Sequence, residues 1–180
     1  MMKKCCSNFM LFFVFSVVIL CSCSRQQTYT LSADYPLYDT AEEIVDSADM
    51  VFTGKVVNIR YEMLDVKSEI GPDPLTGLVE SDPIPYTIYE IQPIQFYKGE
   101  TTQNSVCVKR PGGIFDGSSY ILEDSAEIVI NNEYLFVAEA FENSYASLIN
   151  ATQATYNLNE PSVISEENEI TLADILMVFE

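Results

Sequence analysis

Apolar and polar positions divide the chain into an N-terminal apolar run, a short polar stretch and a long segment of strand-like patterns. Phe9 to Leu20 is apolar except for Ser16. Ser24 to Asp39 is polar and Tyr-containing, with Pro36 inside it, and reads as a tether. From Thr40 the period becomes helical. Ile44, Val45 and Ala48 fall on one face, and Thr40 followed by Glu43 has the spacing of a capping box. This predicts one short helix over residues 40–49.

The period then changes to that of strands. Met50 to Tyr61 is rich in Val, Ile, Phe and Tyr, and Gly54 inside it marks a bulge or a close backbone approach. Asp65 to Pro85 holds Gly71-Pro72-Asp73-Pro74 and Asp82-Pro83 and predicts a long loop. Tyr86 to Tyr97 is a second strand, with Thr87, Tyr89 and Ile91 on one face and Ile88, Ile94 and Phe96 on the other. Pro93 cannot donate to a ladder, so an edge or bend is expected there. Val106 to Lys109 is a third strand, stopped by Pro111-Gly112-Gly113. Ala126 to Ile130 and Glu133 to Phe141 read as a hairpin closed near Asn131-Asn132. The consecutive apolar residues Leu135, Phe136 and Val137 predict a strand buried on both sides.

Tyr145 to Ile149 and Ala154 to Leu158 give two more short strands. Thr171 to Glu180 predicts a C-terminal helix capped by Thr171. Helical segments do not alternate with the strands, which disfavours a parallel α/β sheet. The expected fold is mainly β: a small, closed or partly open OB-like β-barrel with a short N-terminal helix and a C-terminal helix. It forms one domain over residues 40–180.

The N-terminal pattern carries an address. Lys3 and Lys4 precede an apolar run too short for the ~20 residues of a membrane-spanning helix, as in the apolar core of a signal peptide. Leu20-Cys21-Ser22-Cys23 resembles the bacterial lipobox, with Leu20 at −3 and Ser22 at −1 from Cys23. The expectation is a signal peptide over residues 1–22, cleavage before Cys23, and acyl chains on Cys23 of the diacylglycerol or palmitate kind. Two or more such chains hold a protein stably on a membrane. The tether would then run over residues 23–39, and the domain would face outward from the bacterial cell membrane.

Composition narrows the chemistry. Hydrophobic residues make up 48% and charged residues 20%, enough to build a core. The net charge is −18. Loss of Lys3 and Lys4 with the signal peptide, and of no acidic residue, makes that −20. Such a field repels phosphate backbones, so no nucleic-acid partner is expected. The chain has 0 His, which removes imidazole bases and imidazole metal ligands. Of the five cysteines, Cys107 alone would remain as a thiol after processing, so the domain is expected to hold together without a disulfide.

Several segments together resemble a known group. They are Ala48-Asp49-Met50-Val51-Phe52-Thr53-Gly54-Lys55-Val56, Tyr86-Thr87-Ile88-Tyr89-Glu90-Ile91 and Tyr97-Lys98-Gly99. Pro111-Gly112-Gly113 and Glu133-Tyr134-Leu135-Phe136-Val137 complete the set. The pattern looks like that of small exported bacterial lipoprotein domains of unknown function. The resemblance implies an OB-like barrel similar to the tissue-inhibitor-of-metalloproteases and netrin-type module. It implies no catalytic residues. Those inhibitors bind a catalytic zinc through a free N-terminal cysteine amine, whereas Cys23 would be acylated, so inhibition by that route is not expected.

The remaining candidates are weighed against simpler roles. Pro111-Gly112-Gly113 lacks the Gly-x-x-x-x-Gly-Lys pattern of a phosphate loop and reads as a strand-ending turn. Asp73, Glu80 and Asp82 lie in the long loop, and Asp116, Glu123 and Asp124 in another loop expected after Gly113; neither has EF-hand spacing, and no metal or other cofactor is expected. Lys109 shares a strand face with Cys107 and would favour its thiolate, but no base or resolving thiol accompanies it. Tyr29, Tyr35 and Tyr38 are expected to cover the barrel. The functional expectation is a non-enzymatic, membrane-anchored binding module. Its partners would be the membrane, through lipid, and an exported protein or envelope component met through the loop at residues 65–85. The alternatives are a carboxylate-dependent hydrolase and a structural envelope protein.

Overall fold

The computed structural model describes residues 27–66, 71–79, 81–159 and 168–180. Cys23 and the segment expected to form a lipobox lie outside these residues, as does Glu80. The fold is mainly β. In chain order the elements are β1 (Thr28–Leu31), α1 (Ala41–Ser47), β2 (Met50–Leu64), β3 (Ile84–Lys98), β4 (Val106–Pro111) and β5 (Gly113–Phe115). They continue with β6 (Ser118–Leu122), β7 (Glu133–Glu139), β8 (Ala146–Leu148), β9 (Thr155–Asn157) and α2 (Leu172–Met177).

Five of the strands close into a ring. β2 pairs antiparallel with β3, β3 with β4, and β7 with both β8 and β2, while β4 and β8 run parallel. The order β2-β3-β4-β8-β7 and back to β2 leaves the ring without a free edge, the arrangement of a small OB-like barrel. β9 adds to β7 at Tyr134–Phe136. A second, three-stranded sheet has the order β1-β6-β5.

β2 can serve two partners because it is long and bent. Its register against β3 shifts between Thr53 and Gly54 and again between Val56 and Asn58. At Gly54 the strands approach too closely to admit a side chain. A Cβ there would lie 2.5 Å from Ile91 Cγ2 and 2.9 Å from the Gln92 carbonyl oxygen. The expected close approach at Gly54 and bend at Pro93 meet in this one place, since Gly54 is opposite Pro93.

The core fills the ring and its helical cover. Leu135, Phe136 and Val137 are all fully buried, as their consecutive apolar pattern requires. Phe52 stacks between Phe96 at 5.1 Å and Phe136 at 5.4 Å. Ile44 and Val45 of α1 and Ile175 of α2 pack on the same cluster. Thr40 caps α1 by accepting from the Glu43 amide at 3.2 Å. The Glu43 carboxylate takes the Asp39 amide rather than that of Thr40, so only half of the expected box forms there. The full box occurs at α2, between Thr171 and Asp174.

Three expectations need revision. Ala126–Ile130 is not a strand: Ile128 is buried, the Val129 amide donates to the Tyr134 hydroxyl and the Asn131 amide to the Val56 carbonyl. These bonds hold the segment across the barrel wall instead of in a ladder. Residues 113–122, expected as loop, form the β5–β6 hairpin. From Thr28 onward the expected tether is fixed to the domain. β1 pairs parallel with β6, the Asn150 amide donates to the Pro36 carbonyl at 2.6 Å, and Gln153 exchanges two bonds with the Tyr38 backbone. Tyr38 packs on the core and Tyr29 stacks on Tyr120.

Candidate binding face

Alternation along the strands sorts the barrel wall into an inner and an outer face. Tyr89, Ile91, Val106 and Val108 belong to the core. Their neighbours turn outward. Arg60 is opposite Ile88, which is opposite Lys109; Asn58, Glu90 and Cys107 form the next row. The outer face is therefore polar at its rim and apolar at its centre, where Ile88 is fully buried.

Charged groups on this face are held by neighbours. Arg60 Nε donates to Glu62 Oε1 at 2.7 Å. The guanidinium carbon lies 5.4 Å from the Tyr145 ring centroid, and Nη2 is 4.0 Å from Cys107 Sγ. The Tyr145 hydroxyl lies 3.3 and 3.4 Å from the two Glu62 oxygens. The Glu62 bond first, and Tyr145 after it, push the Arg60 pKa above its ordinary value, so Arg60 keeps its charge. Lys109 is almost fully buried; its Nζ donates to Ser144 Oγ at 2.7 Å and stands 4.9 Å from the Phe141 ring centroid. Arg60 thus reaches the thiol, a neighbour that the strand pattern, which pointed to Lys109, did not announce.

Beside this network lies an open cleft of about 620 Å³. It is walled by the end of β4 and by the segment joining β7 to β8. Glu62, Glu100, Cys107, Phe141, Glu142 and Tyr145 contribute to its lining. Three carboxylates and two aromatic rings make it an acidic, partly apolar seat. Glu62 already has Arg60 as partner, which leaves Glu100 and Glu142 as the acidic groups at hand for an incoming molecule.

The acidic residues named from sequence do not join this site. Asp73 accepts from the Leu75 amide at 2.9 Å and from the Thr76 amide and hydroxyl at 2.6 and 2.9 Å. These bonds, the Thr76 amide first, hold its carboxyl below the ordinary value. Asp65 ties the loop's ends together by accepting from the Ser81 hydroxyl and the Asp82 amide. Asp116 and Asp124 occupy turns with φ of 48° and 54°. Among the described residues no three His, Cys, Asp or Glu side chains gather as a metal site. Gly112, with φ of 101°, turns the chain from β4 into β5, where a Cβ would meet the Tyr120 carbonyl at 2.7 Å. The Pro-Gly-Gly segment is a strand-ending turn.

Sequence reasoning passed over Arg60, Glu62, Phe141 and Tyr145. The spacing of oppositely charged Arg60 and Glu62 within one strand was a usable signal, because positions two apart share a face. The approach of Phe141 and Tyr145 depends on the parallel pairing of β8 with β4, which no local pattern announces. No protein-family model matches the chain, and no curated protein matches it.

Proposed function

We propose that the protein is an exported, membrane-anchored binding module that holds a basic segment of another exported protein or envelope component. The lipid on Cys23 supplies the anchor and the cleft beside Tyr145 supplies the seat. The observation that carries this reading is the lining of the cleft. Carboxylates next to ring faces are the surroundings that a Lys or Arg side chain favours, through opposite charge and through attraction to the aromatic π-face. The overall charge of −18 steers such a partner inward from a distance. Binding, rather than turnover, is the role assigned to Glu62, whose carboxylate is occupied by Arg60.

The form starting at Ser24, isotopically labelled, is titrated with tetralysine and, separately, with a neutral oligosaccharide. Tetralysine should shift amide signals of residues 100–107 and 140–146 in a saturable way, and the double variant Glu100→Lys, Glu142→Lys should abolish the response. Shifts spread evenly over the surface, or confined to the oligosaccharide titration, would sink the basic-partner reading. The anchor is tested by fractionation: Cys23→Ala should release the protein from the membrane, and an unchanged distribution would remove the lipid from the account.

A further inference from the structure

We infer that the tip of the β5–β6 hairpin is a second membrane contact, resting on the lipid surface beside the anchor and setting the orientation of the barrel. The inference rests on the proposed lipidation of Cys23. β1 runs parallel to β6 with Thr28 opposite Ser119, and the Ser119 amide donates to the Gln27 carbonyl at 2.8 Å. The hairpin turn at residues 115–118 therefore lies at the same edge of the sheet as the point where the chain arrives from Cys23. Three residues lie between Cys23 and Gln27, and the four Cα–Cα steps reach only about 14 Å even when fully extended. The polar layer on each side of a bilayer's hydrocarbon core is about 5–7 Å thick. A lipid on Cys23 thus holds this edge of the sheet at the membrane surface.

The side chains at that edge suit the position. Next to the turn, Ile114 is 46% exposed and Phe115 44%. Tyr29 is also exposed and stacks on Tyr120 at 5.1 Å, and tyrosine is at home at the level of lipid headgroups. The only charged residue between Gly113 and Leu122 is Asp116 in the turn. In a protein of net charge −18, this stretch is poor in the charge that would keep it off a lipid surface. One acylated residue leaves a domain free to swivel, whereas a second apolar contact two strands away restricts it.

The chain has 0 Trp, so a single introduced Trp is an unobstructed reporter. Full-length Phe115→Trp, expressed in a lipidating bacterium, is reconstituted into phosphatidylcholine vesicles with brominated acyl chains. Ile114→Trp is a second reporter should the first variant fold poorly. Ile94→Trp is the control, at an exposed site seven residues along β3 from Thr87, against which Gly113 packs; that spacing is roughly 23 Å. The expected result is emission from position 115 that shifts to the blue and loses most of its intensity to bromine, with position 94 unaffected. Vesicle-bound protein with position 115 as unquenched as position 94 leaves the anchor standing and overturns the hairpin contact. A blue shift without quenching means that a second copy covers the tip, and also overturns it. Protein that does not float with the vesicles overturns the anchor and the hairpin contact together.

Discussion

At the scale of single residues, close approach decides more than chemistry does. Gly54 is the clearest case. Its missing side chain lets β3 cross β2 where the register slips, and the neighbours a Cβ would meet include the Gln92 backbone, which cannot swing away. Gly54→Ala is expected to destabilise the protein by about 1–3 kcal/mol, the usual cost of forcing an extra methyl into a packed site. Chemical denaturation checks this, and a change near zero would show that β3 yields without cost.

Buried tyrosines control the alkaline limit. Burial pushes the Tyr156 phenol up to about 12 and raises Tyr89 and Tyr35 as well. Unfolded tyrosines ionise near pH 10. The stability these buried phenols contribute is therefore fully present below about pH 10 and is lost as pH rises toward 12. The loss should be shallower in Tyr156→Phe, as read from denaturation midpoints between pH 9 and pH 12. At the acid end, the Thr171 hydroxyl and amide hold Asp174 below the ordinary carboxyl value. What that pair adds to α2 is present above the unfolded Asp pKa and is lost as pH falls through the lower folded value. A carboxyl-carbon titration should place the Asp174 midpoint below that of an unstructured Asp.

At the scale of elements, caps and alternation were legible, and non-local pairing was not. Thr40 and Thr171 announced both helices, because capping acts within a few residues and leaves its mark in the sequence. The run Leu135-Phe136-Val137 announced a strand buried on both sides. The β5–β6 hairpin escaped because Ser118, Ser119 and Gly117 look like loop, and the strand is completed by β1, ninety or so positions earlier in the chain. Ala126–Ile130 failed the other way: its apolar pattern answered to burial against β2 rather than to a ladder partner. Lys98 shows a similar dependence, since its Nζ caps α1 at the Val45 and Asp46 carbonyls from the far end of β3. The candidate face was half legible, with Cys107 and Lys109 visible as neighbours on one strand face and Tyr145 brought to them only by tertiary structure. Thr40→Ala should cost about 1 kcal/mol in the same denaturation assay, as the loss of an N-cap does elsewhere. An undiminished stability would mean that packing of Ile44 and Val45 alone holds α1.

At the scale of the whole molecule, the ring and its cover should behave as one unit. Ile44, Phe52, Ile91, Val108, Phe136 and Ile175 belong to a single buried cluster drawn from both helices and most of the ring. The form starting at Ser24 should give circular dichroism dominated by strand and unfold in one transition. Cys107 is the only free cysteine among the described residues. Reductant should therefore leave the transition where it is; a shift on reduction would reveal a bond between chains.

The pairing of β2 with β7 also constrains how the protein comes to exist. Met50 lies opposite Ala138, so about ninety residues of chain must be looped before the ring can shut. Folds dominated by such distant partners form slowly, because the entropy of the loop is lost before any contact rewards it. A newly made chain that lacks β7 has β2 and β3 as an unfinished sheet, with one side of β2 still unmatched. Under the proposed export across a membrane, that delay is useful: the chain stays pliable until β7 has passed, and the ring shuts on the far side.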